Sequence, residues 1–120
     1  MHAPASFEQL FESSRDPAYV IDPLADRIVT ANRAGCKMLG YSREELLTTP
    51  VSKIHPAELS QLLDFLDRVV RDGRGSSIKL TCRTKGGTFL PTEMSLHAFE
   101  SDGRLRILGL VQDRSGHRQT

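Results

Sequence analysis

The sequence predicts an α+β domain: one five-stranded antiparallel sheet with helices on one face. Three observations predict it. Two short apolar segments, Ala18–Asp22 (AYVID) and Arg27–Thr30, are separated by the turn Pro23-Leu24-Ala25-Asp26, which is hairpin spacing. A block of helical signals then runs as far as Asp72. Beyond it the apolar period changes to two, with glycine turns between the alternating runs, which predicts a three-stranded antiparallel meander.

Size and composition bound what such a domain can be. A chain of 120 residues is one domain's worth and buries enough surface to need no metal or disulfide staple. Hydrophobic residues at 38% and charged residues at 26% are a globular mix, not a disordered one. Sixteen basic residues against fifteen acidic leave a net charge of +1, so no electrostatic case for direct nucleic-acid binding exists. The apolar runs are too short to span a bilayer. With only Cys36 and Cys82, and no signal-peptide pattern, a reducing, cytoplasmic setting is expected.

The elements follow in order. Residues 1–6 read as a disordered N-terminus. Phe7, Leu10 and Phe11 recur at helical spacing, giving a helix over Phe7–Ser13. Pro17 prevents its continuation. After the first hairpin, Asn32 suits an N-cap, Ala34 and Met38 pair four residues apart, and Gly40 suits the left-handed position past a helix end. Ser42 and Glu45 form an S-x-x-E capping box, with Tyr41 and Leu46 at the staple positions of a second short helix. Thr48–His55 reads as a connector. Pro56–Asp72 is the clearest helix, with Leu59, Leu62, Leu63, Leu66, Val69 and Val70 as its stripe. Phe65 falls off the stripe's centre and marks a second contact. Pro56 suits the first turn and Gly73 the cap. After the turn Asp72–Ser76, a strand is expected from Ile78 through Cys82. Lys85-Gly86-Gly87 makes a hairpin turn. Strands over Thr88–Phe99 and Leu105–Gln112 complete the sheet, and Pro91 must sit where no ladder donor is needed.

At this point the chain resembles a PAS sensor domain, from Phe7 to Ser115. The matching residues are AYVID, then Ala31-Asn32 through Met38-Leu39-Gly40-Tyr41-Ser42-Arg43-Glu44-Glu45-Leu46. Next are Ile54-His55-Pro56, the long helix ending Arg71-Asp72-Gly73, Lys85-Gly86-Gly87 with Phe89-Leu90-Pro91-Thr92-Glu93, and Asp113-x-Ser115. Each piece alone is common; their order and spacing carry the likeness. The resemblance implies strand order 2-1-5-4-3, helices enclosing a small pocket on one face, and signalling to an attached effector. It does not say which stimulus is sensed.

The resemblance brings no cofactor with it. Haem binders of the family place a histidine on the inward face of the long helix, where the matching position here is Leu62. His55 precedes that helix, as a loop residue or weak cap. Light-sensing flavin members carry a reactive cysteine after the capped helix, where this chain reads Thr48-Thr49-Pro50-Val51-Ser52-Lys53. With no tryptophan and 6% aromatics, an aromatic flavin wall is missing too. Cys36 and Cys82 read as small buried hydrophobes, and no metal set or nucleophile–base–orienter set stands out, so an enzyme is not expected.

What remains is the apolar interior. Val20, Met38, Leu62, Leu66, Leu80, Cys82, Met94, Leu96 and Leu110 are the candidate lining. A small, mostly apolar ligand, oriented by Thr92 or Cys82, is the receptor reading. A filled core that signals by dimerisation alone is the other, and a small enzyme using the pocket a third. Phe7, Leu10, Phe11 and Leu108 are candidates for a homodimer interface, because an apolar outer face needs a cover. Asp113 and Ser115 resemble the family's output step. Gly116 weakens a continuous helix by about 1 kcal/mol relative to alanine, and residues 116–120 read as the start of a linker. The expectation is an N-terminal regulatory module covalently followed by an effector, a transcriptional regulator or sensor histidine kinase, with Gly116 favouring the former. Glu44 or Glu45 is expected to meet Lys85.

Overall fold

The computed structural model describes residues 6–55 and 59–116. Its elements are α1 (Phe7–Ser13), β1 (Ala18–Asp22), β2 (Arg27–Ala31), α2 (Arg33–Leu39), α3 (Arg43–Leu47), α4 (Val51–Ile54), α5 (Leu59–Asp72), β3 (Arg74–Ser77), β4 (Thr81–Arg83), β5 (Phe89–Ser101) and β6 (Arg104–Asp113). The sheet path is β2-β1-β6-β5-β3, with β4 also on β5, and every pairing is antiparallel.

This is the expected α+β class, with one difference in the strand order: six strands replace five, because the third is broken in two. The segment expected to be a turn, 72–76, instead supplies β3, and Ile78 lies outside any strand and is exposed. Register explains the break. Ser77 pairs with Met94 and Thr81 with Pro91, so three residues on one strand oppose two on the other. That one-residue excess is a bulge. Gly75 matters here, because a Cβ on it would come within 3.1 Å of both Phe65 and Val69. The α5 helix therefore lies close against β3.

Local signals account for most helix ends. Ser42 and Glu45 form the capping box at α3, and Gly40 closes α2 at φ 81°. The N-cap Asn32 is fully buried and uses its whole amide. Its Oδ1 accepts from Gly35 N at 2.8 Å and Ala18 N at 3.0 Å. Its Nδ2 donates to Phe11 O at 3.0 Å and Asp16 O at 2.9 Å. One side chain thus ties α1, β1 and α2 together.

Three expectations need correction. Ser6 is not part of a loose terminus: it caps α1 in a box with Gln9. The 48–55 connector contains α4, whose Ser52 N–H donates to Asp26 Oδ1 at 2.9 Å. Its cap comes from a distant turn, so no local motif announces it. On α5 the buried residues are Leu62, Phe65, Leu66 and Val69, while Leu59, Leu63 and Val70 are exposed. Phe65 therefore belongs to the stripe, which is rotated by the helix's approach to β3. The expected helix start at Pro56 lies outside the described residues.

Candidate functional site

The helices α2, α4 and α5 lie over the sheet's inner face and leave an apolar cavity of about 60 Å³. Leu62 and Leu66 of α5 form its roof, with Val51 and Ile54 of α4 beside them. The floor comes from residues of five strands: Tyr19 and Ile21, Ile28, Cys82, Met94 and Leu96, and Ile107 with Val111. Period-two alternation brings these side chains to one face. Gly109 lies among them, where a Cβ would stand 3.0 Å from Leu96.

The cavity's polar groups are tied to the protein. Tyr19 donates its hydroxyl to Gly35 O at 2.8 Å, and burial pushes its phenol pKa far above the ordinary value. Thr92, fully buried beside the cavity but not lining it, donates its hydroxyl to Leu80 O at 2.7 Å. His55, 6% exposed, holds Nδ1 2.6 Å from Thr81 O. A carbonyl can only accept, so Nδ1 carries the proton and Nε2 presents a lone pair in the neutral ring. Cys82 Sγ lies 3.9 Å from that Nε2.

Of the residues singled out in the sequence, Leu62, Leu66, Cys82, Met94 and Leu96 line the cavity. Leu80 and Thr92 are buried but outside the lining, and Met38 packs half-buried at the core's edge. Val20 and Leu110 are placed elsewhere. Val20 pairs with Leu108, and both Val20 and Leu110 occupy the strand phase opposite Tyr19, Ile21 and Val111. Alternation within AYVID is compatible with either phase, and only pairing with β6 selects one. The same ambiguity hid Tyr19 and Ile21. His55 had its signal in the Ile-His-Pro turn, but its partner is far away in sequence.

The outer surface holds the remaining candidates. Phe7 and Leu10 are 57% and 59% exposed, and Phe11 and Leu108 are half-buried. The Phe7 and Phe11 rings stack at 5.7 Å. At the strand exit, Asp113 Oδ1 accepts from Ser115 N at 2.8 Å and Ser115 Oγ at 2.6 Å. Arg114 N donates to Pro91 O at 2.8 Å, joining the exit to β5. Lys85 pairs with Glu45 rather than Glu44, at 2.5 Å. Among the described residues no group of three or more His, Cys, Asp or Glu could hold a metal, and no helix is long and apolar enough to cross a membrane.

A family model described as the PAS fold matches residues 5–114. The chain belongs to the PAS family. A curated relative, the methyl sulfide methyltransferase-associated sensor of Methanosarcina acetivorans, is 27% identical over 109 residues. That match takes in 89% of this chain but only 11% of the relative's length. The PAS domain of a two-component sensor histidine kinase superposes with a TM-score of 0.75 at 22% identity, covering 87% of this chain and 89% of that one. The PAS domain of an HTR-like protein from Haloarcula marismortui gives 0.70 at 26%, covering 88% and 87%. PAS domains of this kind are sensory modules of signalling proteins rather than catalysts.

Proposed function

We propose that this PAS domain is the cytoplasmic input module of a larger regulator, a sensor histidine kinase or a transcriptional regulator, and that its cavity receives a small, mostly apolar ligand without haem or flavin. The carrying observation is the apolar chamber between α5 and the sheet. Size decides the ligand class. A benzene-sized guest needs an apolar cavity of roughly 150 Å³, so about 60 Å³ admits only a few heavy atoms unless Met94 repacks.

The test is a thermal-shift series with short-chain alcohols and ketones, joined to native mass spectrometry before and after solvent extraction. A melting shift that declines with chain length and vanishes in Leu62→Trp supports the reading. No shift with any probe, and a consistently empty mass, overturns it. A second proposal rests on Phe7 and Leu10: the module dimerises through α1 and the outer sheet face. Light scattering on Phe11→Glu checks this, and an unchanged dimer mass counts against that interface.

A further inference from the structure

We propose that Cys82 is a modification site, its thiol oxidised to a sulfenic acid by a small hydroperoxide with His55 as proton carrier. The inference needs the chamber but no reversible ligand in it.

Geometry supports it first. Thr81 O holds the imidazole with its protonated nitrogen turned away, which directs Nε2 toward the Cys82 thiol. The pair therefore has the arrangement of a thiol, a base and an orienting acceptor, assembled across 27 residues of chain. Both residues line the cavity, although Cys82 is only 4% and His55 6% exposed. Hydrogen peroxide is little larger than water, and a cavity of about 60 Å³ accepts it, whereas a bulky peroxide does not fit.

The environment explains why the imidazole is needed. Most of the wall is leucine, isoleucine, valine and methionine, so a released hydroxide would be poorly solvated there. The balanced step avoids that ion. The thiol proton passes to His55 Nε2 as sulfur attacks one peroxide oxygen. A sulfur–oxygen bond forms, the oxygen–oxygen bond breaks, and the leaving oxygen takes the proton back from Nε2. The thiol is oxidised to sulfenic acid, and the hydroperoxide is reduced to water or an alcohol.

Cys36 is the internal contrast. It sits half-buried on α2 outside the chamber lining, and burial is the largest influence pushing its thiol pKa up. Cys82 also has a route outward. Its strand pairs with β5 at Leu90, next to the Pro91 carbonyl that accepts Arg114 N at the strand exit.

The experiment treats the full chain carrying Cys36→Ser with dilute hydrogen peroxide and follows intact mass. One oxygen per chain is expected, mapped to Cys82, trapped by a cyclic 1,3-diketone on unfolding and reversed by dithiothreitol. The folded chain should react faster than the same chain in urea, cumene hydroperoxide should react slower than hydrogen peroxide, and His55→Gln should slow the reaction by roughly a hundredfold. If His55→Gln does not fold, Leu62→Phe replaces it: filling the chamber should slow oxidation severalfold. Three results overturn the proposal. They are oxygen only on Met94 and resistant to thiols, a folded chain that shields Cys82 relative to urea, and an unchanged rate in the folded variant used.

Discussion

The two faces of the sheet carry similar residues and meet different fates. The inner face brings Leu96, Met94, Ile107 and Val111 under α5, where all four are buried. The outer phase brings Phe99 and Leu110, each 39% exposed. Adjacent residues of a strand thus differ in environment, not in chemistry. Apolar character by itself does not say which face is core. The face covered by α2, α4 and α5 is, whereas on the other Ala18 and Val20 are buried and Phe99 and Leu110 stay exposed.

That contrast can be broken by substitution. Leu62→Ala should have the largest effect, a loss of about 2–5 kcal/mol in urea melts, since it deletes a buried roof residue and widens a cavity that already exists. Asn32→Ala comes next, at roughly 1–3 kcal/mol, because it leaves buried backbone groups without their partners. Leu110→Ala on the open face should cost under about 1 kcal/mol in a monomer. A loss like that of Leu62→Ala would mean that the outer face is covered in solution.

Charges at the rim sharpen the comparison further. Backbone N–H groups of Ala25 and Leu24, together with Arg106, hold Asp22 below the ordinary carboxylate pKa. Lys85, with help from Ser42, does the same for Glu45. A carboxyl whose folded pKa is depressed stabilises the fold fully above its unfolded pKa, near about 4. That contribution fades as pH falls through the lower, folded value. Melting temperature should therefore fall in mild acid, and less so in Arg106→Met with Lys85→Met. An equal fall in that double variant would assign the acid sensitivity elsewhere. The smallest effect on monomer stability is expected from Leu10→Glu, within about 0.5 kcal/mol. Its readout is dimer mass.

Much of this was legible in the chain. The helix Phe7–Ser13, the Asn32 cap, the Gly40 stop and the Ser42–Glu45 box are written in residues three or four apart, and the structure has all of them. Five of the nine lining candidates, Leu62, Leu66, Cys82, Met94 and Leu96, face the cavity, because helical and strand periods place them on inward faces. The failures share one cause. The α4 helix is capped by Asp26, the bulge at 78–80 depends on the register of β5, and Phe65 faces inward because β3 comes to it. Each is set by a partner distant in sequence.

The sequence by itself determined the class of fold, the ends of the short helices and the family, since these rest on local hydrogen bonding and on the period of apolar residues. Tertiary structure alone decided which phase of each strand looks inward, how large the chamber is and that His55 lies against Cys82. The physical reason is range: caps and periods act within a turn of chain, whereas a register or a thiol–imidazole contact exists only after the chain has closed on itself.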